Sequence, residues 1–331
     1  MKAQAVVFTA RRTVEFAEVT CPEPGPDEAV VRITHSWISN GTEGSYLRGE
    51  RLAGDTALRP DDPDPFPIVA GYQKIGVVEQ VGDRIDDLEV GEIVFAAMGR
   101  VDNMFESRGG HVSPSIGTRD QIWKLPPGVD PLPFSGLVLT QVGYNCGVRA
   151  PVEVGDGAIV FGDGMVGHWA AQTLAWRGAR VLLVGRHDDR LAKFPTGRRH
   201  RAINARKEDW IQAARDLFPG GAAVSVDTVG SISAVEQSMP LLRRYGHIVS
   251  AGFYGTEDRL GLQPPRNGEL SIDLVSGWSQ DRMDHTLALI AAGQLQTLPL
   301  ITHRFPAHCA ADAWDLIQTR DEPVLGVILD W

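Results

Sequence analysis

Six consecutive residues carry the plainest chemistry in the chain: Gly162-Asp163-Gly164-Met165-Val166-Gly167. A G-x-G-x-x-G run binds a dinucleotide pyrophosphate when a strand enters it and a helix leaves it, because each glycine has its own task. Gly162 turns the chain sharply off the strand. Gly164, lacking a side chain, lets the backbone approach the phosphates, and Gly167 lets the helix pack close to the sheet. With Met165 and Val166 the run opens a helix whose free N–H groups and positive dipole end face the anion. An ordinary tight turn can carry the same glycines, so the surroundings decide.

A second group, Val184-Gly185-Arg186-His187, falls where the following strand should end. NAD-selective sites place Asp or Glu there to hold the ribose hydroxyls. Gly185 instead leaves space, and the Arg186 guanidinium, with His187 beside it, can pair bidentately with a 2′-phosphate. The pattern favours NADP over NAD, although Asp188 and Asp189 follow closely enough to reach the ribose. Gly252 and Tyr254, after a later strand, are expected to line the coenzyme or substrate cleft.

The elements that must hold these residues alternate after Pro133. Strands are expected over 158–161, 180–184, 223–227, 247–250 and 270–274, with helices over 166–177, 207–217 and 233–242. Val166, Trp169, Ala170, Thr173 and Leu174 share one helix face. Near-continuous apolar strands separated by helices predict an α/β fold with a parallel sheet covered on both faces. Residues 1–130 read differently, as short strands over 3–8, 29–33, 75–81 and 92–97 broken by Gly and Pro. The cluster Arg198-Arg199-His200-Arg201 reads as a solvated loop.

Bulk properties narrow the function. The formal net charge is −10 and no Lys/Arg run tracks a nucleic-acid backbone, so no nucleic-acid partner is expected. No stretch of about 18 apolar residues and no leader-like apolar core occur, so no membrane partner is expected. Cys21, Cys146 and Cys309 are too scattered for a disulfide framework or a CxxC metal site, which fits a reducing cytoplasm.

Over essentially its whole length the chain resembles the medium-chain dehydrogenase/reductase superfamily. The resemblance rests on the glycine motif after an N-terminal β segment, and on Pro299-Leu300-Ile301-Thr302-His303 with Trp314-Asp315-Leu316-Ile317 near the end. It implies a Rossmann doubly wound parallel-sheet domain at 136–279 and a GroES-like β-barrel catalytic domain formed by 1–135 with 280–331. Phrases such as Gly41-Thr42-Glu43, Gly71-Tyr72, Ala251-Gly252-Phe253-Tyr254 and Ile328-Leu329-Asp330-Trp331 look most like the bacteriochlorophyllide hydroxyethyl dehydrogenase branch. The insertion over 51–65 and the Gly185-Arg186 strand end depart from it, so the reaction type carries over and the ring substrate does not.

Zinc-containing members carry a Cys two residues before a relay Ser or Thr, and Gly-His-Glu before a Gly-x-Val strand. Here Asn40 precedes Thr42, and the other stretch is Gly71-Tyr72-Gln73. No Cys lies near 138–140 for a third ligand, and the four-Cys lobe is missing around 98–112. Amides and a phenol do not make a zinc site, so no zinc is expected. The alkoxide charge then falls to a hydrogen-bonding set. The resemblance makes Thr42 the relay hydroxyl, and Tyr72 could donate its phenol to the substrate oxygen. Glu43 and Gln73 would orient them, and Lys74, if close, would lower the Tyr72 pKa. His35, Tyr46 and His111 read as packing or surface residues.

The expected function is zinc-independent hydride transfer between NADP or NAD and a small-molecule secondary alcohol or ketone. Reduction of an activated C=C bond in an enone or quinone is the alternative enzymatic reading, and a non-catalytic dinucleotide-binding redox sensor the alternative of another class. An edge over 270–278 suits a homodimer.

Overall fold

The computed structural model describes residues 1–331, which form two compact units. Met1–Val138 with Thr297–Trp331 make the first unit, and Leu139–Gln296 the second.

The second unit is built on six parallel strands: β1 (Gly157–Phe161), β2 (Arg180–Gly185), β3 (Arg201–Asn204), β4 (Ala222–Asp227), β5 (Leu242–Ser250) and β6 (Ser271–Leu274). Their spatial order is β3-β2-β1-β4-β5-β6. Order reverses between β1 and β4, and ligands of doubly wound sheets bind outside the strand ends at that switch point. Every residue of β1 is buried, which a helix layer on each face requires. One face packs Val160, Leu174, Val181 and Val226. The other packs Ile159, Leu182, Ile203 and Phe218. The helix Leu137–Arg149, not anticipated from sequence, lies against the helix Met165–Trp176 through two glycines. A Cβ on Gly143 would come within 2.5 Å of Trp169 Cβ, and one on Gly147 within 2.5 Å of Thr173 Cβ.

Three local expectations are corrected. Arg201 opens β3, so the basic cluster is only partly loop. The helix expected over 233–242 is confined to Ile232–Ser238 and a 3-10 turn, Met239–Leu241; Pro240 lacks the N–H a continuing helix needs, and Leu242 starts β5. Residues 280–296, expected with the catalytic domain, belong to the second unit, where the Gln296 carbonyl accepts from Trp169 Nε1 at 3.2 Å.

The first unit holds a seven-stranded sheet and a four-stranded sheet. The strand Lys2–Ala10 forms a hairpin with Thr13–Thr20, turning at Arg12 with φ +58°. The C-terminal strand Gly326–Asp330 pairs antiparallel with Glu28–Ile38, Leu329 opposite Ser36, so the chain end completes the sheet its beginning started. Phe8, Ile38, Trp314 and Leu329 share one core, with the Phe8 and Trp314 rings edge-to-face at 5.3 Å. No helix is long and apolar enough to cross a membrane.

Candidate functional site

The glycine loop joins the buried end of β1 to the helix Met165–Trp176. Gly162 has φ +115°, a conformation open chiefly to glycine, and its N–H donates to the Val184 carbonyl at 2.9 Å. Gly167 closes the loop: a Cβ there would lie 1.9 Å from the Gly162 carbonyl oxygen. Gly164 is the opposite case, since a Cβ there would meet no protein atom within 4 Å. As N-cap it gives the helix no side-chain acceptor, so the first N–H groups stay available to a ligand. Met165 is buried and anchors the first turn, while Val166 is half-buried. This cradle fits a pyrophosphate, an anion held by backbone N–H groups at a helix N-terminus.

At the end of β2 the missing residue of the sequence reading is Asp163. Its carboxylate is buried; Oδ2 accepts from the Arg186 N–H at 2.6 Å and the His187 N–H at 2.8 Å. His187 Nδ1 lies 3.0 Å from the same oxygen, and Arg190 Nη1 3.7 Å from Oδ1. Burial alone would raise this carboxyl, but the two backbone donors and His187 outweigh it and hold it below the usual carboxylate range. The space expected beside Gly185 is thus filled by Asp163 itself. Arg186 is exposed and His187 half-buried. Asp188, expected as a competitor for the ribose, accepts from Asn204 Nδ2 at 2.7 Å and pairs with Lys207.

Gly252 and Tyr254 shape the ends of β4 and β5. A Cβ on Gly252 would fall 2.0 Å from the Gly230 nitrogen, so only glycine lets these turns meet. The Tyr254 hydroxyl donates to Asp227 Oδ2 at 2.6 Å, and that carboxylate also caps the N–H groups of Val229, Gly230 and Ser231. Burial, then the Asp227 carboxylate, pushes the Tyr254 phenol up, so it stays protonated in a structural bond.

In the first unit, Thr42 opens the helix Thr42–Leu47 with Glu43 and Ser45 buried beneath it. The Tyr72 hydroxyl donates to Ser39 Oγ at 2.7 Å, and the Thr42 hydroxyl lies within hydrogen-bonding reach of the same phenol. Desolvation is the largest cause raising the Tyr72 pKa, opposed by the Ser39 and Thr42 hydroxyls. Glu43 accepts from the Ser39 N–H at 2.8 Å through one oxygen, and its other oxygen is 2.9 Å from His111 Nε2. His111 Nδ1 is 2.8 Å from Ser36 Oγ, which also accepts from Trp331 Nε1 at 2.8 Å. Ser39 and His111 are therefore members of this cluster that sequence reasoning missed.

Two expected members lie elsewhere. Gln73 is fully buried with Nε2 donating to the Trp37 carbonyl at 3.1 Å, so it fixes the strand Glu28–Ile38. Lys74 is not a partner of Tyr72. Its ammonium, fully buried, donates to the Ala97 carbonyl at 2.5 Å, and desolvation takes its pKa down to about 7. His35 lies 3.5 Å from Asp330, and the Tyr46 hydroxyl donates to the Gly54 carbonyl at 3.3 Å.

Residues 165–292 match the family model described as zinc-binding dehydrogenase. The 2-desacetyl-2-hydroxyethyl bacteriochlorophyllide A dehydrogenase of Cereibacter sphaeroides is 26% identical over 342 residues, covering 100% of this chain and 99% of the relative. Its counterpart in Rhodobacter capsulatus is 24% identical over 336 residues, with the same coverage. Among solved structures, an Escherichia coli oxidoreductase/dehydrogenase of unknown specificity superimposes with TM-score 0.86 at 22% identity, covering 100% of this chain and 99% of that one. An alcohol dehydrogenase from Thermus sp. ATN1 gives 0.83 at 22% identity, with 99% of each chain covered. Over its whole length the chain is similar to members of the medium-chain dehydrogenase/reductase superfamily. The matched family segment lies wholly within the second unit and leaves the ligand positions of the first unit to be judged on their own chemistry. There, Asn40 donates its amide to the Leu325 carbonyl at 2.8 Å, Tyr72 is bonded to Ser39, and Gln73 to Trp37. Two carboxamides and a phenol do not supply the thiolate, imidazole or carboxylate donors of tetrahedral zinc.

Proposed function

We propose that this protein is a zinc-independent oxidoreductase that interconverts a secondary alcohol and a ketone with NADP(H) in preference to NAD(H). The observation that carries the metal-free reading is the Tyr72 phenol, seated on Ser39 with Thr42 in reach at a position where zinc-containing relatives hold a ligand. When bound, the nicotinamide supplies or accepts the hydride.

The residues of this chain supply the rest. Backbone N–H groups at the start of the helix Met165–Trp176 hold the pyrophosphate and so fix where the coenzyme lies. In ketone reduction the carbonyl oxygen gains negative charge as its carbon gains hydride, and it must take up a proton. Tyr72 is protonated at neutral pH, and its O–H, turned from Ser39 toward the substrate, becomes the donor to that oxygen. Thr42 offers a second hydroxyl, and Ser39 orients the phenol while Glu43 fixes the Ser39 backbone. Alcohol oxidation runs the same steps backwards: the substrate proton passes to the Tyr72 oxygen as the phenol's own proton moves through the hydroxyl set to solvent.

The NADP preference is supported by the acids at the β2 end. Asp163 and Asp188 are both occupied by protein donors, leaving Arg186 exposed beside them. The exposed edge strand β6, with Leu274 at 76% exposure, supports pairing with a second copy. Three free cysteines suit a cytoplasmic protein acting on a small molecule.

The test is a panel of ketones, secondary alcohols and enones assayed with both coenzymes. The proposal expects ketone-dependent NADPH oxidation and alcohol-dependent NADP reduction, both lost in Tyr72→Phe. Turnover of enones alone would move the assignment to C=C reduction, and coenzyme binding with no turnover on any panel member would favour a sensor.

A further inference from the structure

Position 163 is left free by the glycine motif, yet its side chain controls the neighbouring strand end. The Asp163 carboxylate is buried and bonded to two successive backbone N–H groups, those of Arg186 and His187. The loop after β1 and the turn after β2 are therefore one fixed piece. A Cβ at position 185 would lie 2.5 Å from Asp163 Oδ2, 2.6 Å from its Cβ and 2.8 Å from its Cγ. Those atoms cannot swing aside without giving up both backbone bonds, so position 185 is closed to any side chain while Asp163 is present. Next to this turn, the Ala205 N–H donates to the Gly185 carbonyl at 2.9 Å, which brings the start of the turn after β3 alongside. The exposed Arg206 follows directly, as the exposed Arg186 follows Gly185.

We propose that Asp163 is a specificity-determining positioning residue: by closing position 185 and holding the turn after β2, it leaves a 2′-phosphate to be read by Arg186 and Arg206. The proposal rests on the dinucleotide reading above and adds how the choice is made. An acid carried at position 185 would accept ribose hydroxyls and repel a phosphate dianion. Asp163 delivers its carboxylate from the opposite side, where the backbone takes it up. Two guanidiniums then remain, and such groups suit a phosphate better than a neutral diol.

The experiment is a double-mutant cycle on the full-length protein, with Kd for NADPH and NADH read from coenzyme fluorescence. The variants are Asp163→Ala, Gly185→Asp and their combination, each checked for folding by circular dichroism. The unmodified protein should prefer NADPH. Gly185→Asp alone should weaken both coenzymes by about tenfold or more, through overlap with Asp163. Adding Asp163→Ala should restore NADH binding and invert the preference. Gly185→Ala adds only a methyl and serves if the larger change unfolds the protein. It should cost about tenfold for NADPH alone and under about twofold in the Asp163→Ala background. Arg206→Ala should weaken NADPH more than NADH. Additive effects in a protein that prefers NADPH overturn the role of Asp163 and leave the coenzyme reading standing. A protein that binds NADH more tightly, or neither coenzyme, overturns the reading and the proposal together.

Discussion

The Glu43 carboxylate lies 2.9 Å from His111 Nε2, and neither side chain reaches solvent. Through its other oxygen Glu43 holds the Ser39 N–H, and Ser39 in turn holds the Tyr72 phenol. The pair thus fixes the residue that orients the proposed acid. Removing one partner of a buried pair strands the other without its bond, which costs about 3–5 kcal/mol. Glu43→Ala should lower stability by about that much in urea unfolding, whereas an isolated surface carboxylate would cost under about 0.5 kcal/mol.

Gly164 and Gly167 should separate binding from folding. Gly164→Val places its Cβ where no protein atom stands within 4 Å, so Tm should change little while coenzyme affinity falls. Gly167→Ala puts a Cβ 1.9 Å from the Gly162 carbonyl oxygen, so it should lower Tm as well. Differential scanning fluorimetry with and without coenzyme reads both, and an unchanged affinity in Gly164→Val would remove the assigned pyrophosphate site.

Tyr72→Phe keeps the ring and deletes the proton. Loss of a positioned general acid costs about 10²–10⁴ in kcat. Coenzyme Kd should not move, because Tyr72 belongs to the first unit and the glycine cradle to the second. Equal losses in kcat and coenzyme affinity would make the change structural.

Lys74 makes stability depend on pH. Its pKa is about 7 in the folded protein against an ordinary 10.5, so between those values the unfolded chain holds a proton that the folded one lacks. Stability therefore rises as pH climbs from about 7 toward 10.5, by an amount on the order of a few kcal/mol. Urea unfolding at several pH values should show that rise, and Lys74→Met should remove this component.

Local patterns were legible in the sequence where residues close in the chain do the work. The glycine motif is one case: β1, the three glycines and the helix Met165–Trp176 are contiguous, and each glycine meets a backbone or open-space condition that its position implied. Asp163 was not legible, because the motif accepts any residue there and the N–H groups it serves lie 23 and 24 residues further on. His111 pairs with Glu43 across 68 residues, a contact set only by the folding of the first unit. Lys74 reads as a partner for the neighbouring Tyr72, whereas its acceptors are backbone carbonyls, which leave no trace in composition. The basic run closing at Arg201 concealed β3, whose place in the sheet comes from parallel pairing with β2.

The metal-free chemistry is tested most directly by assaying ketone reduction with NADPH before and after exhaustive dialysis against a strong chelator, with zinc counted in both samples. Turnover should be unchanged and zinc well below one ion per chain throughout. Activity that disappears with the metal and returns on adding zinc would contradict the assignment of Tyr72 and Thr42 as the groups that take the metal's place.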